Sequence, residues 1–224
     1  MVRKANTATV TSRHRYVVVE GPIGVGKTSL ARRLSESFGS DLILEQAEEN
    51  PFLERFYRDP KAALPTQLFF LFQRARQIES LRQEDMFAPL RVADFLLEKD
   101  RLFAELNLDA QELALYDQVA STLSLDPPTP DLVVYLQAPV DVLMSRVASR
   151  GVDYERDLDS GYLEQLGEAY ARFFYDYDAA PLLIVNAAVI DPVHRESDYQ
   201  ELLAAVERIG RGRHYFNPVA VNFG

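Results

Sequence analysis

The residues whose chemistry is easiest to identify form a single turn, G-P-I-G-V-G-K-T, at positions 21–28, which we call the phosphate loop. Its spacing fits G-x-x-x-x-G-K-[ST], in which backbone N–H groups surround an anion, the lysine reaches the outer phosphates and the hydroxyl ligates Mg²⁺. Valines at 17–19 suit a buried strand before the loop, and Leu30 and Leu34 follow at helical spacing. The alternative, a tight turn that binds nothing, leaves Lys27 without a function. We predict a nucleoside triphosphate site with contacts from Gly21, Gly24, Gly26, Lys27, Thr28 and Ser29.

Two carboxylates, Glu45 and Asp94, lie at the ends of other apolar runs. In an open parallel sheet, ligands bind beyond the carboxyl ends of the strands, so both side chains are candidates for catalysis. A carboxylate at this edge can accept the proton of a hydroxyl that attacks the γ-phosphate. Two other interpretations stay open: Asp94 as the N-cap of a following helix, and Glu45 as a solvated strand end.

Arginines are concentrated in the segment S-R-V-A-S-R-G-V-D-Y-E-R-D at 145–157. Arg146 and Arg150 are four residues apart on one face of a predicted helix end, and Arg156 follows in a glycine-containing loop. Like charges at this spacing repel, and a triphosphate would relieve the repulsion. We predict that this segment, the lid, closes over the phosphates; the alternative is a solvated basic helix end stabilised by the helix dipole.

The elements that position these residues follow from hydrophobic periodicity. Apolar runs predict five strands, at 16–20, 41–45, 90–95, 132–137 and 182–186. Helical patterns alternate with them, which predicts a parallel sheet with helices on both faces. Two of the helices, 64–83 and 111–123, carry long apolar faces.

The 224 residues fit one α/β domain, which we place at 15–224. The proline-rich connector at 124–131 is too short to mark a domain boundary. Residues 1–14 are predicted to be a disordered extension; a transit peptide is disfavoured because they show no amphipathic period.

Composition limits the partners. The formal net charge of −10 disfavours a nucleic-acid binder, because phosphate backbones require basic surface. The chain has no cysteine, and no apolar stretch approaches membrane-spanning length, so we predict a cytoplasmic protein with no membrane partner.

Five stretches, taken in order, resemble the deoxynucleoside kinase family and particularly its bacterial deoxyadenosine/deoxyguanosine kinase branch. They are G-P-I-G-V-G-K-T-S-L, E-N-P-F-L-E-R-F-Y-R-D-P, Q-L-F-F-L-F-Q-R-A-R-Q, A-D-F-L-L-E-K-D-R-L-F-A-E-L-N-L and R-V-A-S-R-G-V-D-Y-E-R-D. The resemblance implies a P-loop NTPase-like three-layer α/β/α fold with a five-stranded parallel sheet and a helical lid. It also implies a homodimer, ATP and Mg²⁺ as cofactors, and a deoxyribonucleoside as substrate.

The resemblance also assigns roles to residues. It implies that Glu45 lies near the 5′-hydroxyl and that Asp94 is the acid of the family's D/E-R-S motif, so either carboxylate could be the base. We favour Glu45 as the proton acceptor, with Asp94 as its partner and, together with Thr28, as an Mg²⁺ ligand. The residues implied to bind the nucleobase are Gln67, Arg74 and Asp100. Those implied to hold the sugar 3′-hydroxyl are Tyr57 and Glu155.

Two positions depart from the family pattern by losing a cation. The residue after Asp94 is Phe95 where the family has arginine, and the lid reads Arg150-Gly151-Val152 where the family has R-G-R. A guanidinium stabilises phosphate charge according to its position in space and not its position in the sequence. We therefore predict that Arg156 or Arg101 supplies the missing positive charge.

The function predicted from the sequence is transfer of the γ-phosphate of ATP to the 5′-hydroxyl of a deoxyribonucleoside, with deoxyadenosine and deoxyguanosine preferred. Two alternatives stay open on the same fold: a nucleoside monophosphate kinase, and a noncatalytic nucleotide-binding partner protein.

Overall fold

The structure is a computed structural model that describes residues 13–83, 90–123 and 125–218. The predicted disordered extension, 1–14, lies outside the described residues except for its last two positions, and it stays a prediction. His14 is buried, and its Nε2 lies 3.0 Å from the carbonyl oxygen of Val206. The second described residue is therefore packed into the fold.

A parallel sheet of six strands forms the centre of the described residues. The strands are β1 (Tyr16–Glu20), β2 (Asp41–Ile43), β3 (Arg91–Ala93), β4 (Leu132–Gln137), β5 (Leu182–Asn186) and β6 (Arg213–Phe216). Their order is β2-β3-β1-β4-β5-β6, and every neighbouring pair is parallel. The predicted parallel sheet is confirmed, but the predicted count of five strands is wrong. The sequence pattern does not reveal β6 because R-H-Y-F lies mostly exposed at the sheet edge and forms no apolar run.

Helices cover both faces of this sheet. They are α1 (Lys27–Phe38), α2 (Leu53–Phe56), α3 (Ala63–Gln83), α4 (Lys99–Asn107), α5 (Ala110–Leu123), α6 (Val140–Arg150), α7 (Ser160–Asp176) and α8 (Glu196–Arg208). Consecutive residues of β1 and β4 are buried, and neighbouring residues on a strand face opposite sides, so both sides are covered. The predicted three-layer arrangement is confirmed, and the two long predicted helices, α3 and α5, each begin one residue earlier than expected.

A second, smaller hydrophobic cluster joins helices α3, α4 and α5 beside the main core. Its buried members are Ala63, Leu71, Ala104, Leu108 and Tyr116. The cluster holds α3 against α4, so polar residues that project from these two helices can meet.

The three strands β2, β3 and β1 are adjacent, and all run in the same direction. Their carboxyl ends therefore share one edge of the sheet. The phosphate loop follows β1 directly, Asp94 follows β3, and Glu45 lies two residues beyond β2. The topology thus brings together three sequence segments that are far apart along the chain.

Candidate active site

The phosphate loop is built from backbone conformations that require glycine. Gly21 has φ +150°, and a Cβ there would lie 2.3 Å from the carbonyl oxygen of Leu136. Gly24 has φ +83°, and its Cβ would lie 2.8 Å from Cγ2 of Val147. Helix α1 begins at the end of the loop, so its free N–H groups face the same space. This geometry suits an anion held by backbone donors.

Lys27 and Thr28 lie at the first turn of α1. Nζ of Lys27 donates to the carbonyl oxygens of Gly21, at 2.7 Å, and Pro22, at 3.2 Å. Burial lowers the pKa of Lys27, and the nearby charge of Lys99 lowers it further. A phosphate placed at the loop would add an anionic partner to this partly buried ammonium.

Asp94 connects the phosphate loop to the second strand. Its Oδ2 accepts a hydrogen bond from the Thr28 hydroxyl at 2.5 Å, and its Oδ1 accepts one from the backbone N–H of Glu45 at 2.7 Å. The N-cap interpretation of Asp94 is wrong, since helix α4 begins only at Lys99.

The pair of Thr28 and Asp94 fits Mg²⁺ held together with nucleotide phosphates. Magnesium takes oxygen ligands and is commonly bound through one or two protein side chains plus phosphates and water. Within the described residues, no group of three or more His, Cys, Asp or Glu side chains could hold a metal ion. The oxygens of Asp94 and Thr28, which are hydrogen bonded to each other at the phosphate loop, are the candidate ligands.

Glu45 is held between two cations. Its Oε1 accepts from Arg74, and its Oε2 accepts from Nζ of Lys99 at 3.0 Å. Burial works to raise the pKa of Glu45, but the charges of Lys99, Arg74 and Lys27 outweigh it and lower the pKa to about 2. The interpretation of Glu45 as a solvated strand end is thus wrong: the carboxylate is ionised, oriented and mostly buried.

These groups open into a cavity of about 550 Å³, which we call the acceptor cavity and which has the size of a small-molecule site. It contains most of the residues that we predicted to bind substrate or act on it. Its lining includes Lys27, Thr28, Glu45, Tyr57, Gln67, Asp94, Asp100, Arg150 and Glu155.

Two of the three residues implied to bind the nucleobase, Gln67 and Asp100, line the acceptor cavity, whereas Arg74 is not part of its lining. Gln67 is 3% exposed and lines the acceptor cavity with Asp100. Arg74 is fully buried, and its Nε lies 3.6 Å from Oδ1 of Asp100. Oδ2 of Asp100 has no hydrogen-bond partner, and burial raises the pKa of this carboxyl to about 6. An unpartnered buried oxygen beside an amide suits a ligand with donor and acceptor groups.

The pair predicted to hold the sugar also lies in the acceptor cavity. Glu155 is 7% exposed, accepts a hydrogen bond from Arg150, and has a second oxygen, Oε2, without a partner. The ring of Tyr57 stacks on Tyr154 with centroids 6.4 Å apart, and burial raises the pKa of Tyr57. The lid therefore contributes a free buried carboxylate oxygen next to a phenol.

The lid arginines differ in their surroundings. Arg146 donates to the carbonyl oxygens of Val25, at 3.2 Å, and Ala187, at 2.8 Å, and so braces the phosphate loop. Arg150 is the last residue of α6 and lines two cavities, the acceptor cavity and a second one also of about 550 Å³. This second space, the nucleotide cavity, borders the phosphate loop and Ser29 on its outer side. The alternative interpretation of this segment as a solvated basic helix end is therefore wrong for Arg146.

The two cations predicted to compensate lie away from both cavities. Arg156 is 75% exposed and pairs with Asp153 at 2.6 Å. Arg101 pairs with Asp117 and with Glu105 on the surface of α4 and α5. Neither residue lines the acceptor or the nucleotide cavity in this structure.

Three charged residues in and around the acceptor cavity did not follow from the sequence. Lys99 and Arg32 line the cavity, and Glu20 is a fully buried carboxylate directly before the phosphate loop. A charge at the end of the apolar run V-V-V-E is a usable signal for Glu20, since such a residue is seldom buried without a partner. Lys99 stands between two acids in E-K-D, a pattern typical of a solvated helix face.

The fold and the site together define a nucleotide-dependent phosphotransferase, with a phosphate loop on one side and an acceptor cavity on the other. The deoxynucleoside kinase family model matches residues 17–210. The chain belongs to this family.

Curated relatives agree with this membership, and a solved structure has the same fold. Deoxyguanosine kinase of Bacillus subtilis is 32% identical over 200 residues, which cover 87% of this chain and 97% of the relative. Deoxyadenosine kinase of Lactobacillus acidophilus is 28% identical over 208 residues, covering 86% and 95%. The structure of deoxyadenosine kinase from M. mycoides with dCMP and dCDP bound has a TM-score of 0.75 at 24% identity, covering 85% of this chain and 98% of that one.

Proposed function

We propose that this member of the family transfers the γ-phosphate of ATP to the 5′-hydroxyl of a deoxyribonucleoside and prefers deoxyguanosine or deoxyadenosine. The observation that carries the proposal is that Lys27 and Thr28 of the phosphate loop line the same cavity as Glu45 and Gln67. A donor phosphate and an acceptor hydroxyl bound at these two places would meet beside Glu45. Such positioning accounts for much of the catalysis of phosphoryl transfer.

The residues then take the following roles. Glu45 lines the cavity beside Lys27 and Thr28, where its carboxylate would orient the 5′-hydroxyl by accepting its hydrogen bond and take up its proton as the phosphoryl group is transferred. Lys27 and the lid arginines, Arg146 and Arg150, bind the phosphates. Thr28 and Asp94 would hold Mg²⁺. When bound, Mg²⁺ neutralises charge on the β- and γ-phosphates.

The nucleobase end supports a purine deoxynucleoside. An amide such as that of Gln67 can contact two adjacent positions of a base edge, and Asp100 adds an acceptor that can be protonated near neutral pH. Relatives from Bacillus and Lactobacillus are named deoxyguanosine kinase or deoxyadenosine kinase. Tyr57 and Glu155 would hold the 3′-hydroxyl and help select the sugar.

The test is a phosphorylation assay with radiolabelled ATP and four deoxynucleosides, run beside deoxyadenosine and deoxyguanosine monophosphates. We expect 5′-monophosphate products and the highest kcat/KM with a purine deoxynucleoside. Diphosphate products from the monophosphates alone would support the monophosphate kinase instead. The absence of any product, with ATP binding intact, would support the noncatalytic alternative.

We also propose a cytoplasmic homodimer without nucleic-acid or membrane partners. In the described residues, no helix combines the length and the apolar character that crossing a membrane requires. Phe72 on α3 and Leu115 on α5 are nearly half exposed, which leaves apolar surface for a second copy. Sedimentation equilibrium at micromolar concentration should give twice the 25.4 kDa of one chain, and a mass of one chain would contradict the dimer.

A further inference from the structure

Lys99, in the first turn of α4, is a buried ammonium that faces the reaction centre. It is 4% exposed, and it lines the acceptor cavity. Its Nζ lies 3.0 Å from Oε2 of Glu45 and 4.0 Å from Oε2 of Glu20. A charged amine loses most of its hydration at such a place, so it requires anionic partners to stay charged. The two carboxylates provide them.

Glu20 fixes this lysine relative to the phosphate loop. The Glu20 side chain is fully buried and accepts hydrogen bonds from three donors: the backbone N–H of Gly21 at 2.8 Å, the backbone N–H of Leu96 at 2.6 Å and the hydroxyl of Tyr170 at 2.9 Å. These bonds leave the carboxylate little freedom to move. Lys99 therefore bridges a rigid group at the start of the phosphate loop and the carboxylate of Glu45.

Arg74 and Lys99 place two positive charges beside Glu45, although the residue directly after Asp94 carries none. Position 95 carries a phenylalanine, and its ring lies 3.9 Å below Cζ of Arg74. Arg74 donates to Oε1 of Glu45, and Lys99 donates to Oε2. Phe95 thus supports one cation by cation–π contact, while the other cation comes from the next helix.

We propose that Lys99 is a positioning residue for phosphoryl transfer: it fixes the Glu45 carboxylate toward the acceptor hydroxyl and ties it, through Glu20, to the phosphate loop. In this role it replaces the cation that position 95 lacks. The proposal rests on the proposed function, because it assigns Glu45 to the acceptor hydroxyl. Misplacing a reacting group by about 1 Å can cost on the order of 10²-fold in rate, so a positioning ammonium has a measurable effect.

The first test compares Lys99→Met with Lys99→Arg and with Lys61→Met, a change of the same kind at an exposed lysine outside the site. For each protein we would measure kcat, the dissociation constant of deoxyguanosine by calorimetry, and the melting temperature. We expect Lys99→Met to lower kcat by about 10²-fold while the dissociation constant changes less than about threefold. Lys99→Arg should keep kcat within about tenfold of the wild type, and Lys61→Met should match the wild type.

The second test restores the charge chemically, which is possible because the chain has no cysteine of its own. Lys99→Cys can be alkylated to S-aminoethylcysteine, which has the length and charge of lysine, or to the neutral carbamidomethyl form. Mass spectrometry would measure the extent of each reaction. We expect the aminoethyl protein to have at least about tenfold higher kcat than the carbamidomethyl protein. This comparison separates the charge from the packing of residue 99.

The outcomes distinguish this inference from the proposed function. If the wild type phosphorylates deoxynucleosides and Lys99→Met is equally fast, the inference is wrong and the function stands. A loss of nucleoside affinity equal to the loss of kcat, or equal kcat for the two alkylated proteins, also overturns it. A wild type that phosphorylates no deoxynucleoside contradicts the proposed function, and with it the role given to Lys99.

Discussion

The phosphate loop and the acceptor cavity are constructed in different ways. The loop is eight consecutive residues whose binding groups are mainly backbone N–H groups, fixed by glycine conformations and by the start of α1. The acceptor cavity takes charged side chains from the segment after β2, from α4 and from the lid, and Glu45 is held there by Lys99 and by Arg74 of α3. Local conformation therefore determines one end of the site, and tertiary packing determines the other.

This difference affects how each end should respond to substitution. Removing one member of a buried charge pair leaves the other uncompensated, which typically costs about 3–5 kcal/mol of folding free energy. Arg74, Glu45 and Lys99 form such a group, with Arg74 fully buried. Lys27 of the phosphate loop donates to backbone carbonyls, so its substitution should affect activity far more than stability, whereas a side chain at Gly21 or Gly24 would clash with the fold.

The largest expected effect is at the loop. Lys27→Ala should lower kcat/KM by roughly 10³-fold or more, because the proposed role of the lysine is to stabilise charge on the transferring phosphoryl group. Its melting temperature should stay near that of the wild type, since its present partners are two backbone carbonyls. Steady-state kinetics beside thermal unfolding would test both points, with Lys61→Ala as the matched control. Turnover near the wild-type value in folded Lys27→Ala would contradict the phosphate site.

The next effect separates the two carboxylates. Asp94→Asn should raise the Mg²⁺ concentration needed for half-maximal activity, because Asp94 holds the Thr28 hydroxyl at the predicted metal site. Glu45→Gln should lower kcat by roughly 10²- to 10³-fold at every Mg²⁺ concentration, because it removes the proton acceptor. Titrations of kcat with Mg²⁺ would show the contrast. Equal shifts in the Mg²⁺ requirement for both variants would refute this division of roles.

The same contrast explains how much of the molecule could be predicted from the sequence. The loop, strands β1 to β5 and helices α3 and α5 follow from consecutive patterns, because local periodicity and glycine spacing determine them. Strand β6 did not, since an exposed edge strand has no hydrophobic signal. Lys99 and Glu20 did not either, because a sequence pattern does not distinguish a buried ion pair from a solvated one. The residues that the family resemblance named, such as Gln67 and Asp100, do share one cavity.

A smaller effect is expected in the lid, where Arg150 touches both ends of the site. Arg150→Ala should lower kcat by about 10- to 10²-fold, because the guanidinium lies between the nucleotide and acceptor cavities. The dissociation constant of deoxyguanosine should change less than about threefold. Pre-steady-state kinetics and equilibrium binding, measured on one preparation, would compare the change in kcat with the change in the dissociation constant. An equal loss of kcat and of affinity would mean that Arg150 acts mainly by holding Glu155, to which it is hydrogen bonded.

The smallest effect is expected at Arg156, which lies in the same lid only six residues further along the chain. Its side chain is 75% exposed and pairs with Asp153, which is 84% exposed, and an ion pair in solvent is worth about 0–1 kcal/mol. Arg156→Ala should therefore change kcat less than about twofold, although the sequence suggested that it replaces the cation missing at Val152. The double variant Val152→Arg plus Arg156→Ala completes the test. If Arg156 supplies a lid cation, Arg156→Ala should lower kcat about tenfold and the double variant should restore it. If the lid works with Arg146 and Arg150 alone, kcat should change in neither variant.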